Sequence, residues 1–312
     1  MFVLTNKIGL IGYGNQAKRL EKYLNQIGYK ISIIYKPNFK KNLNKFTNDF
    51  KKIQNCEIIF ICSTNSTHFL YLKKLIGKKY IFCEKPPVSS YDQLLKLKKI
   101  INNKVFFNYN LRFCEISNLI QEAKKHNFGN LLFANIILTH GLSSKKGYLS
   151  NWRSKKKLSP KGVFETVSIH ALDIILYNFG IKKILSEKLT NTSGRGTAYD
   201  TSFLNIITKN NANISIFCSY NSPLVNSWIF VFENGTLKYD NNILKLNGPR
   251  NNFDKNNNFI EPKNISSKRI SYKKLYEKSL FNSVNHFMKT VKNKKKFQNE
   301  LSLISNKLIL QK

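Results

Sequence analysis

Acidic side chains are scarce in this chain: 17 Asp and Glu stand against 52 Lys and Arg, a formal charge of +35 over 312 residues. An excess of this size raises the question of nucleic-acid binding. The lysines are spread along the whole sequence instead of forming one stripe. They come with abundant Asn, Ile, Phe and Tyr, residues that AT-rich codons favour. Compositional drift with a solvated basic surface accounts for the charge, and no specific nucleic-acid partner is expected. Non-specific attraction to polyanions follows from it, and an anionic small molecule would be welcomed electrostatically. Long apolar runs are also missing. None approaches the roughly 20 residues needed to span a bilayer, so no membrane partner is expected. The five cysteines, Cys56, Cys62, Cys83, Cys114 and Cys218, form no CxxC pair. They read as buried free thiols, with neither a disulfide framework nor a metal site. Residues 1–14 run as a strand straight into a glycine turn, a pattern that does not fit a cleavable leader, and the expected location is the cytoplasm. No internal repeat is present.

With 42% hydrophobic and 13% aromatic residues, the chain can bury a core, and its length suggests two domains at about 150 residues each. The opening segment carries the first strong pattern. Lys7 to Ile11 is a short apolar run that ends in Gly12-Tyr13-Gly14-Asn15-Gln16-Ala17, after which Ala17, Leu20, Tyr23 and Leu24 recur at helical spacing. In a strand–turn–helix of this kind the first glycine permits the bend and the second lets the backbone approach a pyrophosphate. A small third residue, here Ala17, allows close helix–strand packing. The helix start offers unpaired N–H groups and a positive dipole end to phosphates.

A second strand is expected at 31–35. Where an Asp or Glu usually receives the ribose hydroxyls of NAD, about 20 residues beyond the glycines, the sequence has Tyr35-Lys36-Pro37. A cation there tilts the expected cofactor from NAD toward NADP. Further strands at 57–63 and 79–83 end in Ser63-Thr64-Asn65-Ser66-Thr67-His68 and in Glu84-Lys85-Pro86-Pro87, with a helix expected at 69–76. Ligands collect at the carboxyl ends of strands in an open parallel sheet, so these polar ends point to one crevice. Gly12, Gly14, Asn15, Gln16, Ala17, Lys36, Ser63, Thr64, Asn65, His68, Glu84 and Lys85 are the expected cofactor-binding residues. His68 on its own reads more simply as a loop hydrogen-bonder.

Taken together, IGLIGYGNQAKRL (8–20), STNSTHF (63–69) and CEKPPVSS (83–90) resemble the Gfo/Idh/MocA family, the glucose-fructose oxidoreductase and inositol dehydrogenase group. FFNYNLRF (106–113), NFGNLLFA (127–134), NWR (151–153) and KGVFETVSIHALDIILYNFG (161–180) continue the resemblance. It implies an α/β chain: an N-terminal Rossmann dinucleotide-binding domain, 1–115, and a C-terminal α+β domain with an open, mostly antiparallel sheet, 116–312. The last helix would return to the first domain. The resemblance also implies an NAD(P)-dependent oxidoreductase that interconverts a hydroxyl and a keto carbon on a sugar, cyclitol or nucleotide-linked sugar, assembled as a homodimer or homotetramer. Lys85 would lie beside nicotinamide and substrate oxygen, with a cis Lys85–Pro86 bond.

The family's later motif runs from an acid to a histidine four positions on and an Asp three further. Here His170 and Asp173 are in place, but Thr166 stands where the acid belongs and Glu165 is one residue early. Oxidising a carbinol requires a base for the hydroxyl proton with a pKa near working pH, which suits histidine. On an ordinary helix starting near Phe164, positions 166, 170 and 173 share a face. The assignment is His170 as general base and Lys85 as the cation that holds the substrate oxygen. Asp173 either binds a substrate hydroxyl or fixes the imidazole. Arg112, Trp152, Arg153 and Thr166 are candidate substrate residues, though an arginine bridging the two domains would explain Arg112 and Arg153 nearly as well. The rival reading is a nucleotide-binding regulatory or scaffold protein on the same fold, its displaced acid marking lost chemistry.

In the remaining sequence, strands are expected at 131–138, 204–208, 213–220 and 228–233, with a hairpin at Asn234-Gly235. A polar, Asn-rich excursion or lid is expected at 247–274. Leu280, Val284, Phe287, Met288 and Val291 form an amphipathic helical stripe.

Overall fold

The computed structural model describes residues 7–39, 45–77, 79–250 and 253–311. Residues 1–6 of the entry to the glycine turn and residues 251–252 of the Asn-rich stretch lie outside the described residues. The backbone divides into two compact units, one formed by 1–110 with 280–312 and the other by 111–279.

The first unit is a parallel sheet with helical crossovers. In chain order it comprises β1 (Ile8–Ile11), α1 (Asn15–Gln26), β2 (Ile33–Tyr35), β3 (Phe46–Thr47), α2 (Phe50–Gln54), β4 (Ile58–Ile61), α3 (His68–Leu75), β5 (Tyr80–Glu84), α4 (Tyr91–Ile100) and β6 (Val105–Asn108). The six strands lie in the order β3-β2-β1-β4-β5-β6, every pair parallel. That reversal of order beside β1 is the doubly wound Rossmann arrangement, whose ligand crevice opens at the carboxyl strand ends. All four residues of β1, β4 and β6 are buried, as expected for strands covered on both faces. A cluster of Phe60, Phe82, Phe106, Phe287 and Phe297, with centroids 4.8–5.9 Å apart, binds the sheet to the C-terminal segment. Truncating one such ring to Ala costs about 3–5 kcal/mol.

The second unit is built on a sheet of eight strands. It begins with α5 (Glu115–Lys125) and β7 (Leu131–Thr139), then α6 (Ile169–Phe179), β8 (Ile181–Thr190), β9 (Thr201–Thr208), β10 (Asn213–Ser219), β11 (Val225–Phe232), β12 (Thr236–Asp240), β13 (Ile243–Asn247) and β14 (Asn264–Arg269). The strand order is β14-β13-β12-β11-β7-β10-β9-β8. Only β7 and β10 pair in parallel; the other neighbours are antiparallel. The expected open, mostly antiparallel sheet is present, and Asn234-Gly235 joins β11 to β12 as a hairpin. Strand residues alternate: Ala134, Ile136, Leu138, Leu204, Ile206, Trp228 and Phe230 are buried, while Phe133, Phe203 and Val225 on the other face are exposed. The helix α7 (Tyr272–Lys292) runs from the second unit into the first, and α8 (Glu300–Leu310) belongs to the first.

Two expectations need correction. The stretch 247–274 is not one excursion, since β14 and the start of α7 lie within it. Its strand is short, polar and at the sheet edge, so no apolar alternation announces it. The helix expected from Phe164 opens instead with a π-helical turn at Phe164–Ser168, in which the Ile169 N–H reaches the Phe164 carbonyl, five residues back. Regular α-helix resumes only at Ile169.

Candidate active site

In the first unit, the chain leaves β1 through Gly12, whose N–H donates to the Tyr35 carbonyl of β2 at 3.0 Å. Its φ of +83° suits glycine, and a Cβ there would stand 2.9 Å from the Cys62 carbonyl oxygen. Bend and close strand approach thus both require glycine at this position. Gly14 is different: a Cβ there would meet nothing within 4 Å. Gly14 caps the 12-residue α1 without a side-chain cap, and the first turn holds no acid. An open backbone cradle at the uncapped start of a helix is a fitting seat for a dinucleotide pyrophosphate. Ala17 is fully buried where the helix crosses the sheet.

The start of α1 and the ends of β5 and β6 are tied together by polar side chains. Gln16 Nε2 donates to Glu84 Oε1 at 2.9 Å, and Asn108 Nδ2, at the end of β6, donates to the same oxygen at 2.8 Å. Ser283 Oγ of α7 donates to Asn108 Oδ1 at 2.7 Å. Burial raises the Glu84 pKa, opposed by the bonds from Gln16 and Asn108 and by the Lys85 charge. Gln16 and Glu84 therefore serve the scaffold of the crevice through each other. Among the loop residues, Ser63 Oγ accepts from Thr67 Oγ1 at 2.7 Å, the Thr67 N–H donates to the Thr64 carbonyl at 2.9 Å, and Asn65 is buried.

His68, the first residue of α3, is wholly buried. Its Nδ1 lies 2.8 Å from the Pro86 carbonyl oxygen and its Nε2 3.0 Å from that of Ser63. Burial lowers the His68 pKa, the two carbonyls act in the opposite sense, and the nearby Lys85 charge lowers it further. The Lys85–Pro86 peptide is cis. Asn306 of α8 holds Val88 through both its backbone groups, accepting from the N–H at 3.0 Å and donating to the carbonyl at 3.2 Å. Lys85 is half-buried, between fixed neighbours on either side.

At the end of β2 the Lys36 ammonium lies over the Phe39 ring, 5.4 Å from its centroid, and the Lys36 N–H donates to the Thr47 carbonyl. Tyr13, inside the glycine turn, donates its hydroxyl to Glu21 Oε2 at 2.6 Å, and Glu21 is also ion-paired with Lys45.

In the second unit, Arg112 Nε and Nη2 donate to the two oxygens of Asp173 at 2.8 and 2.6 Å. The guanidinium also covers the Tyr177 ring, 5.4 Å from its centroid. Two residues singled out from sequence are thus one buried ion pair. Arg153 stacks on Trp152, 4.3 Å from the ring centroid. Thr166 donates to the Gly162 carbonyl at 2.9 Å and shares a short hydrogen bond with the Tyr220 hydroxyl. Burial pushes the Tyr220 phenol up to about 12, with the Arg153 charge acting against it. His140 lies against the Tyr220 ring at 5.0 Å.

The π turn changes the geometry around His170. On an ordinary helix, five residues of separation put two side chains about 140° apart. A π turn takes up one more residue per turn, the same offset by which Glu165 is early. Glu165 lies within that turn. Its carboxyl is buried and accepts a short hydrogen bond from Ser159.

Tyr220, Asn108 and Ser283 were not apparent in the sequence. Asn108 and Tyr220 do follow apolar strand runs, which is a weak signal of a strand-end polar residue, whereas Ser283 inside an amphipathic helix gives none.

No curated protein sequence matches this chain. Solved structures share its fold. An oxidoreductase from Agrobacterium radiobacter, solved with NAD+, L-tartaric acid and magnesium, is 16% identical at a TM-score of 0.79, covering 97% of this chain and 94% of that one. A myo-inositol dehydrogenase from Corynebacterium glutamicum is 17% identical at a TM-score of 0.73, covering 98% and 95%. A levoglucosan dehydrogenase solved with NADH and levoglucosan is 15% identical at 0.77, covering 97% and 95%. In sequence, residues 6–105 match the Gfo/Idh/MocA profile, described as oxidoreductase family, NAD-binding Rossmann fold. Residues 6–105, with their glycine turn, parallel sheet and Glu-Lys-Pro strand end, are an NAD-binding Rossmann domain of the Gfo/Idh/MocA oxidoreductase family.

Proposed function

We propose that the chain is a nicotinamide-dependent dehydrogenase that interconverts a secondary alcohol and a ketone on a sugar, cyclitol or nucleotide-linked sugar, with NADP preferred over NAD. The observation that carries this reading is the convergence, at the carboxyl ends of β1, β4 and β5, of an open Gly14 cradle, the Ser63–His68 loop and Lys85.

Gly12, Gly14, Asn15 and Ala17 would seat the pyrophosphate at the α1 terminus, and Lys36 would face the adenosine ribose. The nicotinamide, when bound, supplies the hydride acceptor or donor. Lys85 places an ammonium on the substrate oxygen and favours its alkoxide character, an electrostatic effect strongest where water is excluded. His170 takes the hydroxyl proton in oxidation and returns it in reduction. Glu165, in the π turn before His170, is the acid that would orient the imidazole and stabilise its charge once it has taken the proton, in place of Thr166, whose hydroxyl is taken by Tyr220. Asp173 anchors Arg112. The charge of +35 favours an anionic substrate. The half-apolar open face of the β7–β11 sheet, with Phe133 and Phe203 exposed, supports a homo-oligomer built on that face. Equilibrium sedimentation that shows only monomer would dismiss the oligomer.

The deciding experiment is a turnover screen with NAD+ and NADP+ across sugar phosphates, nucleotide sugars and inositols, run beside Lys85→Met. Turnover on one class, reduced by about 10²-fold or more in the variant, is the expected result. Nucleotide binding without turnover on any class would instead favour the regulatory or scaffold reading, which the displaced acid position at Thr166 suggests.

A further inference from the structure

The segment 84–88 is fastened at three points within the first unit. Glu84 is held by Gln16 and Asn108, the Pro86 carbonyl by His68, and Val88 by Asn306. Of these, the His68 contact is the one on Pro86, the residue directly after Lys85. Its other end reaches the loop after β4, through the Ser63 carbonyl. The ring sits at the first residue of α3, wholly buried, with a rigid five-membered frame that fixes the separation of the two carbonyls. A side chain that merely filled space here would need no nitrogen facing either oxygen. A buried polar ring placed between two backbone acceptors is retained at a desolvation cost, so its geometry has to serve something.

We propose that His68 is a positioning residue for Lys85: its imidazole, lodged between the Ser63 and Pro86 carbonyls and donating to one of them, sets where the Lys85 ammonium points. This rests on the reading that Lys85 acts on the substrate oxygen. Displacing a reacting group by about 1 Å can cost about 10²-fold in rate, so loss of the clasp would appear in kcat while the glycine-turn cofactor seat stays intact. A neutral imidazole has a single N–H and serves one carbonyl at a time. Glutamine, which donates from one end only, should therefore retain part of the effect, and leucine none.

The test uses the full chain with His68→Leu and His68→Gln and two separate readouts. In the first, trace acetic anhydride labels the lysines, and mass spectrometry compares Lys85 with all other lysines of the same molecule. The clasp predicts that the relative reactivity of Lys85 changes in His68→Leu, less so in His68→Gln, while the other lysines stay the same. Unchanged Lys85 reactivity in both variants overturns the proposal whatever the protein's function. In the second readout, turnover on the best substrate is expected to fall by about 10-fold or more in kcat for His68→Leu. In a Lys85→Met background, the same His68→Leu change should add no further loss. An equal loss in both backgrounds shows that His68 does not act through Lys85 and overturns the proposal, while the catalytic reading of Lys85 stands. If Lys85 reactivity moves but Lys85→Met turns over normally, the catalytic reading fails and the clasp survives only as a structural feature. Should His68→Leu fail to fold, His68→Gln runs through the same comparisons.

Discussion

Arg112 and Asp173 form a two-pronged ion pair across 61 residues of sequence, with Nε–Oδ2 at 2.8 Å and Nη2–Oδ1 at 2.6 Å, at a place where 2% of the Asp173 side chain is exposed. It joins the short helical turn at 110–113 to the middle of α6, the helix that carries His170. Removing one partner of a buried pair leaves an uncompensated charge, which costs about 3–5 kcal/mol. Asp173→Ala should lower the stability of the second unit by that amount in urea unfolding. Arg112→Met with Asp173→Leu should recover most of it, because packed apolar replacements are often tolerated where single losses are not. A single variant as stable as the parent would show that the pair contributes nothing net.

The π turn makes a different demand. If Glu165 supports His170, Glu165→Gln should lower kcat by about 10–100-fold, part of the 10²–10⁴ that positioned acid–base groups contribute, and should move the acidic limb of the pH–rate profile. Thr166→Val should leave that limb in place. The reverse pattern would return the role to position 166.

Glu84 gives the chain a pH-dependent stability of definite sign. Burial raises its folded-state pKa above the ordinary 4.5, so the folded state holds the proton more tightly than the unfolded state. Its contribution is fully present below about pH 4.5 and is lost as pH rises through the folded value. Glu84→Gln keeps an oxygen for Gln16 and Asn108 and removes the charge. Its melting temperature should equal the parent's near pH 4.5 and exceed it by an amount that grows as pH rises and levels off above the folded value. A constant difference across that range would mean that Glu84 does not titrate as its burial requires.

If Lys36 faces the adenosine ribose as proposed, it decides the cofactor preference. A charge-assisted hydrogen bond is worth about 1.5–3 kcal/mol, so Lys36→Asp should shift the ratio of NADP+ to NAD+ dissociation constants toward NAD+ by about 10–100-fold. Isothermal titration with both cofactors reads it directly, and a parent that already prefers NAD+ would remove the premise.

Local rules carried the sequence far where burial is two-sided. The strands of the parallel sheet are continuous apolar runs bounded by glycine or polar turns, so β1, β4 and β5 and their ligand-facing ends could be read from residues 7–90 without any tertiary knowledge. Edge strands were another matter. β8, with its run of Lys and Glu, and β14, with Ser, Lys and Arg, bury little and so carry no periodic signal. The site shows the same division. Which residues gather at the strand ends follows from the alternation of strand, turn and helix. Which of them touch each other does not.

From its sequence alone this protein is a nucleotide-binding α/β chain with Lys85 and His170 as its reactive candidates, because apolar period and glycine placement are local physical requirements. Only the tertiary structure decided that Glu84 is bound by Gln16 and Asn108, that Asp173 belongs to Arg112, that His68 lies between two carbonyls, and that the helix carrying His170 opens with a π turn. Each of these depends on a long-range approach of side chains or on a single hydrogen bond's choice of partner, neither of which leaves a mark in the spacing of residues.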